Sequence, residues 1–233
     1  MARGGGGARP PRTRVATARG RPVASTRWLA RQLNDPDVRR ARDEGYRSRS
    51  AYKLLEVDQR HGLLKPGARV VDLGAAPGGW SQVAARRGCR VVALDLAEVD
   101  PVPGATVLRG DFLDGAVQAR VLEALAGGGA DVVLSDMAAP STGQRAVDRL
   151  RAEALGEAAL DFALRALAPG GSCLIKLVRG GEAALMPVAR PRFATARLVR
   201  PPATRKESSE IYLLAQGLRP IGPAAEEPGA GPG

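Results

Sequence analysis

Short apolar runs alternate with longer segments of helical period along most of this chain. Arg69–Leu73, Arg90–Leu94, Asp131–Leu134 and Ser172–Val178 are rich in branched aliphatic residues and bounded by turn residues. They are too short for helices and predict buried strands. Thr106–Leu108, Thr195–Val199 and Ile211–Ala215 predict three more. Ser50–Gln59, Gly79–Arg87, Val117–Leu125 and Val147–Leu167 predict helices, the last with Leu150, Ala154, Ala158, Phe162 and Leu167 as its apolar positions. Trp28–Leu33 begins a short helical segment that Pro36 interrupts or restarts. Pro66-Gly67, the Gly127–Gly129 triplet and Pro169-Gly170-Gly171 punctuate the series as turns. Strands that alternate with helices of this length predict an α/β fold with a mostly parallel sheet and right-handed crossovers. Helices covering both faces of such a sheet account for apolar runs that do not alternate with polar residues.

Composition limits what else the chain can be. Its 233 residues suit one ordinary domain with tails. Glycine and proline are frequent but show no triplet period, which excludes a collagen-like chain. Two cysteines, Cys89 and Cys173, give no disulfide framework and are expected as buried small hydrophobes. No run of 18 apolar residues predicts a membrane helix, and no apolar run near the start predicts a secretory signal. With His61 as the lone histidine, no metal-binding cluster is visible.

The formal net charge of +11 is unevenly placed. Residues 1–31 contain eight arginines and no acid, whereas the other 202 residues hold 27 basic and 24 acidic side chains. Residues 1–25 are therefore expected to be a disordered basic arm, 26–219 one folded domain with an N-terminal helical segment over 26–60, and 220–233 a short disordered tail. Such an arm suits polyanion binding; an inert extension is the alternative, and repeated Gly and Pro argue against a transit peptide. The chain has 31 arginines but only four lysines, Lys53, Lys65, Lys176 and Lys206. A lysine is therefore informative here, because a buried lysine can be tuned to lose its proton and arginine cannot.

Asp72-Leu-Gly-Ala-Ala-Pro-Gly-Gly-Trp80 joins the first predicted strand to its helix. Glycines in this position let a backbone approach a ligand closely. Asp95 ends the second strand, where an acid can accept both hydroxyls of a nucleoside ribose. That geometry serves a nicotinamide or flavin dinucleotide or S-adenosylmethionine. Ala76 occupies the place of the second glycine of the dinucleotide spacing, and no P-loop lysine follows. Asp72 is positioned to meet a cationic ammonium, and Asp111 an adenine amino group. The ammonium contact favours S-adenosylmethionine.

These residues and others in the same order resemble the bacterial FtsJ/RrmJ-type ribosomal RNA 2′-O-ribose methyltransferases. The resemblance runs from about Trp28 to Gly217. It includes Trp28-Leu-Ala-Arg-Gln-Leu33, Arg47-Ser-Arg-Ser-Ala-Tyr-Lys-Leu54, Val71–Gln82, Ser135-Asp-Met-Ala-Ala-Pro140, Ala168-Pro-Gly-Gly-Ser172 and Ser208-Ser-Glu-Ile-Tyr212. The resemblance implies a Rossmann-like class I S-adenosylmethionine-dependent methyltransferase fold, with a seven-stranded, mostly parallel sheet and an antiparallel last strand. It implies a Lys-Asp-Lys-Glu catalytic tetrad at Lys53, Asp136, Lys176 and Glu210. The cofactor set it gives is Asp72, Gly74, Ala75, Pro77, Gly78, Gly79, Trp80, Asp95, Asp111, Phe112 and Asp136, with packing as the competing role of Trp80. Its substrate is a ribose, usually of a uridine, in large-subunit (23S) ribosomal RNA or a precursor particle. The expected setting is a monomer in the cytoplasm, without membrane or metal. After Lys176 the family usually has Phe and Gln before Gly; this chain has Leu177-Val178-Arg179-Gly180.

Two roles stay open for Lys176. As a neutral amine it takes the hydroxyl proton; as a cation it orients the oxygen while water takes the proton. Arg47, Arg49, Arg200, Arg205 and Lys206 are candidates for phosphate contacts, and Tyr52 for stacking on a base or for packing. With eight aromatic residues in all, shape and backbone recognition of folded RNA fits better than a stacking platform. The rival readings are methylation of a tRNA ribose and a non-catalytic RNA-binding assembly factor. A nicotinamide-dependent dehydrogenase fits poorly.

Overall fold

The computed structural model describes residues 35–220. The expected arm, the Trp28–Leu33 helix and the tail beyond Pro220 lie outside the described residues.

Asp35 caps the first helix, α1 (Pro36–Asp43): its carboxylate accepts from the Asp37 N–H, and Pro36 supplies a preset φ at the first position. Pro36 thus starts a helix. Helix α2 (Ala51–His61) ends on Gly62 in the left-handed region, as a glycine after a last turn allows. The main body follows as β1 (Arg69–Leu73), α3 (Gly79–Arg86), β2 (Arg90–Asp95), β3 (Ala105–Arg109), α4 (Gly115–Ala124), β4 (Ala130–Ser135), α5 (Arg145–Ala166), β5 (Leu167–Val178), α6 (Glu182–Arg192), β6 (Phe193–Val199) and β7 (Glu210–Leu218).

The seven strands lie in the order β3-β2-β1-β4-β5-β7-β6. β7 is antiparallel to both neighbours, β5 and β6, and the other pairs are parallel. Alternate residues of each strand serve opposite faces. On one face Val70, Ala93, Val132, Leu174 and Leu214 pack beneath α2 and α3. On the other Val71, Leu94, Val133, Ile175 and Leu213 pack beneath α4, α5 and α6. The free thiols of Cys89 and Cys173 are buried, and burial pushes their pKa values up to about 11 and about 12.

Two sequence expectations need correction. The pattern of apolar positions predicts no element between Val178 and Thr195, whereas Glu182–Arg192 forms a helix despite Pro187 and Pro191. It is a helix because the two prolines stand four apart on its exposed side, while Leu185 and Ala189 form the buried side. In α5 the stripe marks the buried face only in its second half: Phe162 and Leu167 are buried, whereas Ala154 is exposed and Leu150 is 65% exposed. The core face is Gly156, Ala159, Leu160, Phe162 and Ala163, while Arg151, Ala154 and Leu155 border a cavity at the sheet's edge.

Candidate active site

Two cavities meet the carboxyl ends of the central strands, where open α/β sheets hold their ligands. The first, of about 390 Å³, lies on the α5 side. Its lining includes Gly74 after β1, Asp95 at the end of β2, Asp111 and Phe112 after β3, and Met137–Pro140 after β4. The volume and the mainly apolar walls with a few acids suit a nucleoside-sized ligand. Asp95 is fixed by backbone groups, accepting from the N–H groups of Ala76, in the loop after β1, and of Ala97. Asp111 accepts from Leu113 N–H.

Gly74 is the closest approach in this cradle. Its φ is +76°, and a Cβ there would come within 2.8 Å of the Met137 Cα and N. Both β1 and β4 turn outward at this point, and only a glycine lets them do so side by side. Gly74→Ala is expected to strain this turn by roughly 1–3 kcal/mol and to lower the melting temperature by roughly 3–10 °C, read by thermal denaturation. An unchanged melting temperature would contradict the packing described.

Most of the other expected cofactor residues are buried beneath this surface. Asp72 is completely buried and accepts from the Ser81 hydroxyl at 2.6 Å. It does not line the cavity, so it supports the loop from below and acts on a ligand's positive charge through that loop instead of by direct contact. Burial, with the charges of Asp136 and Asp95, outweighs that hydrogen bond and pushes its carboxyl up to about 7. Trp80 is buried, donates to Ser50 C=O at 2.8 Å and lies beside the Tyr212 ring. Its place is in packing. Ala75 is buried and Pro77 exposed. Gly78 and Gly79 make room for Arg47 and Ser48, which a Cβ at either position would strike.

The second cavity is bordered by Lys53 and Glu210, and Asp136 and Lys176 stand beside that pair. Lys53 enters from α2, Asp136 follows β4, Lys176 stands near the end of β5, and Glu210 begins β7. Antiparallel register sets Lys176 opposite Tyr212, and Glu210 shares that face two residues earlier. Lys53 is ion-paired to Glu210, and Lys176 to Asp136 at 3.2 Å. Lys176 also donates to the Asp136 backbone carbonyl. Two of its three valences outside the side chain are so directed, leaving one for a ligand. The four side chains are 13–20% exposed, desolvated yet reachable.

Sequence reasoning gave Tyr212 no role, although it stands in the Ser-Ser-Glu-Ile-Tyr segment two residues past Glu210. Its hydroxyl joins the pairs: it accepts from Lys53 at 3.1 Å and contacts the carboxylates of Asp136 and Glu210. Burial and those two carboxylates raise its pKa well above the ordinary tyrosine value, so it remains a proton donor. Burial also works to raise the Glu210 carboxyl, but Lys53, Tyr212 and Lys176 outweigh it and hold it below its ordinary value.

The candidate phosphate contacts separate into two groups. Arg47 donates to the carbonyls of Pro77, Asp100 and Pro101. Arg49 and Arg205 both clasp Asp35, and Arg49 also bonds Asp37 and the Ala203 carbonyl. Arg200 donates to four carbonyls of the loop before β7, from Arg205, Lys206, Ser208 and Glu210. These four arginines knit the chain together around the site. Tyr52 is 4% exposed, packed with Ala41 and Ala203 under the Arg40 guanidinium. Stacking on a base is replaced by packing, because its ring is not accessible. Lys206 alone of the six is exposed and without an in-chain partner among the described residues.

A doubly wound sheet with an antiparallel seventh strand, a nucleoside-sized cavity at its switch point and a charged cluster beside it defines a methyltransferase-type fold. The family model for FtsJ-like methyltransferases matches residues 46–218, and the chain belongs to that family. A relative from Granulibacter bethesdensis named ribosomal RNA large subunit methyltransferase E is 54% identical over 217 residues, covering 91% of this chain and 94% of its own. One of the same name from Parvibaculum lavamentivorans is 53% identical over 230 residues, covering 93% and 90%. Among solved structures, a ribosomal RNA methyltransferase from Plasmodium falciparum superposes with a TM-score of 0.68 at 27% identity, covering 76% of this chain and all of that one.

Proposed function

We propose that this protein is an S-adenosylmethionine-dependent methyltransferase that modifies a ribose 2′-hydroxyl, of a uridine, in large-subunit ribosomal RNA. The observation that carries this reading is the convergence of Lys53, Asp136, Lys176 and Glu210 beside a nucleoside-sized cavity. The names of the relatives support the RNA substrate.

The residues present fit S-adenosylmethionine. The Gly74 cradle would be filled by a Cβ, Asp95 suits the ribose hydroxyls, Asp111 suits the adenine amino group and Phe112 supplies an apolar wall. Bound there, the cofactor supplies a methyl group on a positively charged sulfur. The protein's task is then to hold and deprotonate a weakly acidic alcohol. The second cavity, lined by Ser50, Lys53, Ser208 and Glu210 among others, receives the acceptor nucleotide. Lys176 faces the 2′-oxygen, Asp136 orients Lys176, and Glu210 with Tyr212 fixes Lys53. Either the Lys176 amine takes the hydroxyl proton, or its ammonium orients the oxygen while water takes it. Residues 26–219 form the methyltransferase domain, and the basic arm over 1–25 aids RNA binding. The protein works as a monomer in the cytoplasm; no helix among the described residues is long and apolar enough to cross a membrane.

The deciding experiment is transfer of labelled methyl to unmethylated large ribosomal particles, followed by mapping of the modified ribose. Label at one uridine 2′-oxygen is the expected result. Label confined to tRNA, or cofactor binding with no transfer to any RNA, would overturn it.

A further inference from the structure

A shallow groove lies beside the acceptor cavity, lined by Arg179, Arg200, Lys206, Glu207, Ser208 and Ser209. Glu207 and Ser208 line both, so the two form one continuous surface. Arg179 follows β5 in a turn that is firmly held. Its N–H donates to Ser209 C=O at 3.0 Å, and the Gly181 N–H to Val178 C=O at 2.9 Å. The next N–H, of Gly180, donates to the Glu182 carboxylate.

The backbone is therefore fixed, yet the Arg179 side chain is exposed and has no hydrogen bond or ion pair among the described residues. Lys206 is in the same condition. This contrasts with Arg47, Arg49, Arg200 and Arg205, each directed to acceptors within the chain. Arg200 lies under the loop with its guanidinium locked on four carbonyls, so its charge is fixed in place. Three cations thus face the groove against one carboxylate, that of Glu207.

We infer that Arg179 and Lys206 form a subsite for the phosphodiester that flanks the acceptor ribose. This rests on the reading of the second cavity as the acceptor site. In an internal nucleotide the 3′-phosphodiester is attached to the carbon next to the one bearing the 2′-oxygen. A hydroxyl brought to Lys176 therefore carries that phosphate to the border of the cavity, where these cations stand. Arginine matches two phosphate oxygens at once, and lysine adds a movable point charge. The held turn places Arg179 for this contact before RNA arrives.

The test is binding of an unmodified transcript of large-subunit ribosomal RNA across a range of salt, for wild type, R179Q/K206Q and R90Q. Arg90 is exposed at the start of β2, at the opposite end of the sheet from the site. Two lost phosphate contacts should reduce the slope of log affinity against log salt by roughly 1.5, so that between about 50 and 200 mM salt wild type loses roughly eightfold more affinity than the double variant. R90Q should change the slope by less than half as much. Cofactor affinity, read by calorimetry, should be the same in all three. A double variant that tracks R90Q would overturn the subsite, and so would a wild type that does not bind the transcript. If wild type binds with the expected slope difference but transfers no methyl, the proposed reaction fails and the phosphate subsite stands.

Discussion

Replacing Lys176 by alanine is expected to slow single-turnover methyl transfer by roughly 10²–10⁴-fold while cofactor affinity stays within about twofold, the range expected when a positioned proton-transfer group is lost. Lys176 lines neither cavity itself; it pairs with Asp136, which the Tyr212 hydroxyl links to Lys53 and Glu210 on the wall of the acceptor cavity. Its ammonium or amine is aimed by two atoms of one residue, the Asp136 carboxylate and backbone carbonyl. Arginine at this position should not rescue the rate, because a guanidinium is wider, planar and unable to release its proton. The pH dependence of the same step separates the two roles. With a neutral amine acting as base, the wild-type rate falls tenfold per pH unit on the acid side; with an oriented cation that limb is absent. A Lys176→Ala rate equal to wild type would refute both.

The fold was legible because its signals are local. Apolar runs ending in Asp72, Asp95 and Ser135-Asp136 mark buried strands whose carboxyl ends carry polar groups, and the glycines after β1 mark a close backbone approach. The arginine assignments were less legible. Charge and nearness in sequence suggest a phosphate rim, but whether an arginine is free depends on distant acceptors. Asp35 and Arg205 are 170 residues apart and meet only in the folded chain. The same holds for Tyr212. Its role comes from β5–β7 register, which places it opposite Lys176, and no spacing rule gives that pairing. Helix α6 was hidden for a different reason: its prolines oppose helix locally, and the burial of Leu185 and Ala189 against the sheet side overrides them.

Asp72→Asn is expected to remove a pH-dependent loss of stability. The Asp72 carboxyl is raised from an ordinary 3.8 to about 7, first by complete burial and then by the charges of Asp136 and Asp95. A folded-state pKa above the unfolded one means that the folded protein holds this proton more tightly. Its contribution is fully present below about pH 4, declines as pH rises through about 7, and is flat above that. The displacement of roughly three pH units corresponds to about 4 kcal/mol lost over this window. Asparagine keeps an oxygen for the Ser81 hydroxyl but brings an amide that costs about 1–3 kcal/mol if it finds no acceptor. That cost does not depend on pH, so the diagnostic quantity is the slope and not the offset. Denaturant unfolding of both proteins at intervals from pH 4 to 8 should show the variant gaining on wild type by about 4 kcal/mol across the range. A difference that stays constant with pH would mean that Asp72 is ionised in the fold throughout. An acid retained at this stability cost, directly beneath the Gly74 loop, is consistent with a site that receives a cationic ligand. The wild-type affinity for S-adenosylmethionine should accordingly rise between about pH 6 and 8, as Asp72 ionises, and the Asp72→Asn profile should be flatter.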